Sequence, residues 1–275
     1  MATGWLRIGF MRFLAFCLLA VASFAAEAPL SLTLQSRSGA SKPVLVKEQW
    51  LPSRTAIIVC DMWDLHHCKN AVSRETEMAP RMNEVLEKAR AAGVLIVHAP
   101  SSCMKAYEGT PARERAKTAP AAPRLPDKIG EWCKQIPAEE MAVYPLDQSD
   151  GGEDDDLAEH AAWAKELEAK GLNPKAPWTK QIDVLRIDQT KDAISDSGVE
   201  IWNLLESKNI DNVILMGVHL NMCVSGRPFG LRQMAKNGKH VVLIRDLTDT
   251  MYNPARWLFF NDTAATEIYT QHVER

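Results

Sequence analysis

Apolar residues gather along the chain in short dense runs separated by longer mixed stretches. Ala56-Ile57-Ile58-Val59-Cys60, Val94-Leu95-Ile96-Val97, Asn212-Val213-Ile214-Leu215-Met216-Gly217 and His240-Val241-Val242-Leu243-Ile244 are such runs. They are rich in β-branched residues and bounded by polar ones, which suits strands buried on both faces. Ile182-Asp183-Val184-Leu185-Arg186-Ile187 alternates instead and predicts a more exposed strand. Between the first two runs, Met82, Val85, Leu86 and Ala89 share one face of a helix over 77–92, and Gly93 stops it. Two more helices are predicted over 198–208 and 224–237, the second ended by Asn237-Gly238. Arg227-Pro228 should bend or delay that second helix, because proline has no N–H to donate. Strands alternating with helices predict an α/β fold: a doubly wound, mostly parallel sheet of five to six strands with helices on both faces, a Rossmann-like three-layer α/β/α arrangement.

Three segments depart from this rhythm. Residues 26–53 are polar with scattered apolar positions and predict an extended lead-in to a domain at 54–275. Residues 101–180 hold Pro111, Pro120, Pro123, Pro126, Pro137, Pro145, Pro174 and Pro177, with the acidic run Asp150-Gly151-Gly152-Glu153-Asp154-Asp155-Asp156. So long a stretch with no clear strand predicts an insertion over a functional edge, helical in part near 156–170. The acidic spacing does not match an EF-hand loop. Residues 1–25 carry Arg7 and Arg12, then the apolar run Phe13–Ala22, then Ser23-Phe24-Ala25 with small residues where a signal peptidase needs them. That order predicts a secretory signal peptide and a secreted or periplasmic product, with no membrane attachment after cleavage. An uncleaved anchor is the alternative, but the run is short for a bilayer span.

Composition narrows the function classes. The chain has 275 residues, 46% hydrophobic and 24% charged, with a formal net charge of −3. There is no clustered basic excess for a nucleic-acid surface, no disorder signature, and no glycine-rich phosphate loop. Removing the leader removes Cys17 and leaves Cys60, Cys68, Cys103, Cys133 and Cys223. An odd count in an exported chain leaves at least one free thiol.

In an open parallel sheet, ligands bind beyond the carboxyl ends of the strands, where strand order reverses. Asp61 closes the first strand, and Cys223 lies just past the fourth, where a helix begins. The helix dipole there favours a thiolate. A nearby carboxylate can take the thiol proton, and a cation can hold the pair.

At this point three segments resemble the isochorismatase-like cysteine hydrolases, a family that includes nicotinamidases and N-carbamoyl amidases. Ala56 to Trp63 is similar to the family's first strand with its aspartate. Gly217-Val218-His219-Leu220-Asn221-Met222-Cys223-Val224 is similar to its nucleophile segment, and Arg245-Asp246-Leu247-Thr248-Asp249 to the stretch after the last strand. The resemblance covers roughly 50–275. It implies a catalytic set of Asp61 as base, Cys223 as nucleophile and a lysine. Lys191, four residues before Ser195, fits the family spacing; Arg186 and Lys180 fit it less well. It also implies a cis peptide between Val218 and His219, and oxyanion donors among the N–H groups of Met222 and Cys223.

The sequence departs from the family at several places. The nicotinamidase Asp-x-His metal cluster is missing at His98-Ala99-Pro100-Ser101-Ser102. Asp64-Leu65-His66-His67-Cys68 has metal-binding residue types, but neighbours in one short loop rarely close a site alone, so pocket-lining histidines are expected and no metal or other cofactor; the alternative is the enzyme with a metal at Asp64, His66 or His67. Pocket candidates are Trp63, His66, His67, His98, Asn221 and Asp249. The expected activity is hydrolysis of a C–N bond in a small amide, imide or ureido compound through a cysteine thioester. The alternative is a secreted small-molecule-binding protein on the same scaffold without turnover. Partners are a small-molecule substrate and, as the resemblance leaves open, a second copy of the chain in a homo-oligomer.

Overall fold

A computed structural model describes residues 27–38, 42–137 and 153–252. The expected leader at 1–25 lies outside the described residues. Five strands build the central sheet: β3 (Thr55–Cys60), β4 (Leu95–Ala99), β5 (Ala193–Ile194), β6 (Asn212–Gly217) and β7 (His240–Thr248). They run in the order β5-β4-β3-β6-β7, and every pairing is parallel. Strand order therefore reverses between β3 and β6, which places the expected ligand crevice over their carboxyl ends.

The two faces follow from side-chain alternation. Ile57, Val59, Ile96, Ile214, Met216 and Val242 face one way, onto Ala79, Met82 and Leu86 of α1 (Lys69–Ala92). Ala56, Ile58, Val97, Val213 and Leu215 face the other way, onto Ile201, Leu204 and Leu205 of α4 (Gly198–Ser207) and Leu231 and Met234 of α5 (Leu231–Lys236). This is the three-layer arrangement predicted. Helix α1 starts before the predicted residue 77, because its first two turns carry few apolar residues to signal them. Gly93 ends it in the left-handed conformation, φ 101°.

The lead-in is a hairpin. β1 (Leu30–Ser38) and β2 (Lys42–Trp50) pair antiparallel, and Leu30, Leu32, Leu34 and Trp50 pack on the α1 side of the core.

The strand predicted at 182–187 does not form. Leu185 donates its N–H to Ile182 in a turn, and Arg186 donates its own to Asn83 of α1. The alternating apolar positions are real, but Leu185 and Ile182 bury against the α1 face without pairing. The sheet's third strand in sequence is Ala193–Ile194 beside Val97 and His98, too short to leave a periodic signal.

Within residues 101–180, α2 (Pro111–Lys117) follows the capping residue Thr110, whose side chain accepts from the Arg113 N–H. Helix α3 (Leu157–Ala169) follows Asp156, which caps it likewise, close to the predicted helical span. Arg113 forms a two-pronged pair with Glu200 at 2.5 and 3.1 Å, tying α2 to α4. No helix among the described residues is long and apolar enough to cross a membrane.

Candidate active site

Asp61 leaves β3 in the left-handed region, φ 49°, and is fully buried. That backbone turn aims its carboxylate across the strand ends. Oδ1 accepts the Ser101 N–H at 2.8 Å, just past β4. Oδ2 accepts from Arg227 Nε at 2.9 Å. On the other side of the switch point, Val218 donates its N–H to the Cys60 carbonyl at 3.0 Å, which locks the start of the nucleophile segment against β3. Gly217 makes that approach possible: its φ is +119°, and a Cβ there would lie 2.1 Å from the Cys60 carbonyl oxygen.

The peptide bond between Val218 and His219 is cis, as the resemblance implied. One wide helical turn then spans Leu220–Val224. The helix stops at Arg227-Pro228 and restarts as α5 at Leu231, the delay expected of that dipeptide. The break is what sends the Arg227 guanidinium back over the sheet to Asp61. Arg227 also lies over the Trp132 ring at 4.9 Å from its centroid, and Cys133 donates its N–H to the Gly226 carbonyl at 2.8 Å. Trp132 and Cys133 thus cover the turn that carries Cys223.

The Cys223 thiol faces both the Asp61 carboxylate and the Arg227 guanidinium. Burial and then the Asp61 charge push the thiol up, and Arg227 pulls it down without cancelling them. The resting group is therefore a thiol beside the Asp61 carboxyl, where the helix-terminus argument alone expected a thiolate. Arg227 is itself held more firmly protonated; burial opposes this, but Asp61 and the nearby thiols outweigh it.

Lys191 does not join this group. It is exposed, in a turn ahead of β5, while Asp61 and Cys223 lie beyond the opposite, carboxyl ends of the strands. Its spacing partner Ser195 is buried and hydrogen-bonds Glu200 at 2.5 Å. Arg186 pairs with Glu87 and Lys180 with Asp183, both on the surface. The cation near Asp61 is Arg227, which the sequence marked only as a helix breaker. The dipeptide Arg-Pro just past the nucleophile was the available signal.

The remaining candidates divide. Met222 donates its N–H to the His219 carbonyl at 3.0 Å, so that donor is already committed. Asn221 clamps Met251 through both backbone groups, at 2.6 and 3.2 Å, and acts as a brace. His98 is fully buried between Gln181 at 2.9 Å and Asp192 at 3.1 Å, and lies in a core network. Trp63 stacks on Trp178 with ring centroids 4.3 Å apart and donates Nε1–H to the Ser101 carbonyl. His67 faces Glu153 at 3.4 Å. His66 and His219 stand edge to face, centroids 5.1 Å apart. Burial first, then neighbouring His67 and His219, lowers His66 to about 2, so its ring is neutral. Asp249 meets His219 Nδ1 at 3.1 Å and Arg74 at 3.0 Å. Burial would raise its carboxyl, but those two donors outweigh it and the pKa falls.

The isochorismatase domain model matches residues 55–269 of the chain. Among solved structures, a cysteine hydrolase from Pseudomonas syringae pv. phaseolicola 1448A is 16% identical over 87% of this chain and 87% of that one, with a TM-score of 0.42. The N-carbamoylsarcosine amidase from Thermoplasma acidophilum is 15% identical over 73% of this chain and 87% of that one, TM-score 0.40. An isochorismatase family protein from Desulfovibrio vulgaris subsp. vulgaris str. Hildenborough is 15% identical over 78% and 87%, TM-score 0.38. No curated protein matches the chain.

Proposed function

The chain belongs to the isochorismatase family, and on that premise we propose that it is a cysteine hydrolase that cleaves a C–N bond in a small amide, imide or ureido compound. One observation carries the reading: the Cys223 thiol, the fully buried Asp61 carboxylate and the Arg227 guanidinium converge over the switch point of the sheet.

Asp61 takes the thiol proton as sulfur attacks the substrate carbonyl, giving a tetrahedral oxyanion. The protonated Asp61 returns that proton to the leaving nitrogen as the C–N bond breaks. A thioester on Cys223 remains. Asp61 then deprotonates a water that adds to the thioester carbonyl, and collapse releases the acid and the thiol. Arg227 holds the Asp61 carboxylate in place at 2.9 Å, and its charge offsets the anion that forms beside it. The binding-protein alternative drew on the unassigned lysine and on bulky His219 beside the nucleophile; Arg227 against Asp61 weighs against the first of these grounds. Export directed by residues 1–25 is part of the same proposal.

The test is release of ammonia or amine from a panel of small amides, imides and ureido compounds. The wild-type chain is expected to turn over at least one class, and Cys223→Ala to lose that turnover with its circular dichroism unchanged. An alanine variant with full activity would exclude the reading.

A further inference from the structure

Beside the Asp61–Cys223 pair lies a second group of buried side chains that the proposed reaction does not use. His66 comes from the loop after β3, Glu75 from the second turn of α1, and His219 from the start of the nucleophile turn. All three are buried, and one potential ligand atom from each lies within 4.8 Å of the others.

Their hydrogen bonding shows which atoms are free. Asp249 as a carboxylate can only accept, so the His219 Nδ1 that meets it at 3.1 Å carries the proton. Arg74 holds Asp249 from behind through Nε, at 3.0 and 3.1 Å. Nδ1 is therefore committed to Asp249, and Nε2 is left as the ring nitrogen open to a ligand. That nitrogen is buried and has no hydrogen-bond partner, and neither has Glu75 Oε1. Each residue is only 1% exposed. A buried imidazole nitrogen and a buried carboxyl oxygen without partners are costly unless a proton or a metal ion lies between them; burial, then the Asp249 and Asp61 charges, push the Glu75 carboxyl up. Arg74 makes no hydrogen bond to either atom: its Nε and Nη1 bond Asp249 and Asp154, and its buried Nη2 has no partner.

We propose that His66, Glu75 and His219 bind one divalent transition-metal ion of the zinc class. Two imidazoles and one carboxylate are a ligand set that such ions take, with a fourth position left to water. The Asp249–His219 contact is the outer hydrogen bond that usually orients a ligating histidine. The ligand atoms of a tetrahedral zinc stand roughly 3.3 Å apart, so small side-chain rotations close the set. His66 Nδ1 accepts the Cys68 N–H at 3.1 Å, and the ring gives up that bond on ligation. Asp64 is excluded as a ligand because its carboxylate caps Thr179 and Lys180. The site differs in position from the Asp-x-His cluster that the sequence lacks, and it does not depend on the hydrolase reading.

The neighbouring group of Cys68, Asp154 and Asp155 is the competitor, but there the thiol already donates to Asp155 at 2.6 Å and to Asp154 at 3.2 Å. The full chain, stripped with a chelator, is titrated with Co²⁺ and followed by its visible absorption, with Zn²⁺ as competitor. The expected result is a single saturable site without a strong thiolate-to-metal band. Glu75→Gln and, independently, His66→Gln weaken it by about tenfold or more, with circular dichroism unchanged. Asp155→Asn and Cys223→Ser leave it as it was. A folded wild-type chain that gives no saturable spectrum overturns the proposal. So does undiminished binding in both Glu75→Gln and His66→Gln, or loss of binding in Asp155→Asn or Cys223→Ser.

Discussion

Arg227 Nε lies 2.9 Å from Asp61 Oδ2, although the two residues are 166 positions apart. This contact joins the ends of β3 and of the broken helix after β6, and it places a guanidinium against the Asp61 carboxyl. Replacing Arg227 with alanine is expected to lower kcat/KM by about 10²-fold, the scale of losing one charged transition-state donor. Arg227→Lys should recover part of that loss, since it restores the charge but not the planar fork. Lys191→Ala should leave kcat/KM unchanged. Equal losses in Lys191→Ala and Arg227→Ala would contradict this assignment.

The thiol of Cys223 is held protonated by burial and by the Asp61 charge. Its rate of alkylation by iodoacetamide should therefore rise with an apparent pKa above the ~8.5 of a free cysteine. Asp61→Asn removes the like charge, so the profile should move to lower pH while turnover disappears. A wild-type profile centred below that of free cysteine would show a resting thiolate instead.

How much of this was legible beforehand follows from where the signal resides. β3 and β6 are dense β-branched runs, so their ends, and with them Asp61 and Cys223, could be placed from sequence. β5 is two residues long and is held by its neighbours, so nothing in its own pattern marks it. The alternation at 182–187 is equally good for a strand and for a loop that buries Leu185, and pairing decides between them. Lys191 matched a spacing, but the spacing says nothing of which end of the sheet it occupies. Arg227 reaches Asp61 only because Pro228 breaks the helix, a consequence that needs three dimensions. Glu75 carries no motif; it became visible only as a buried carboxyl oxygen without a hydrogen-bond partner.

Gly217 sits where β6 touches β3. Gly217→Ala would force a left-handed residue and press its Cβ into the Cys60 carbonyl. It should cost roughly 2–4 kcal/mol of stability, measured by urea unfolding. A change under half a kilocalorie, as expected of a neutral surface substitution, would mean the strands do not approach as described.

Asp192 is buried against Arg90 at 2.6 Å and His98 at 3.1 Å. Burial alone would raise its carboxyl, but the His98 and Arg90 contacts prevail and lower it. A depressed folded-state pKa contributes stability that is present above the unfolded value, about 3.9, and is lost as pH falls through the folded value. Asp192→Asn should therefore destabilise the chain by about 3–5 kcal/mol at pH 7, as for a broken buried pair. That gap should narrow as pH falls below about 4. A gap that stays constant from neutral pH into the acid range would show that the carboxylate charge is not what Asn removes.

The central claim is that Cys223 forms a covalent acyl intermediate with Asp61 as its base. Acid-quenched intact mass spectrometry during turnover tests it most directly, with any amide, imide or ureido compound the panel identifies. The predicted result is an added acyl mass that maps to the Cys223 peptide and is absent from Cys223→Ala and Asp61→Asn. Product formation in the wild type with no adduct at any quench time, together with turnover in Cys223→Ala, would contradict it.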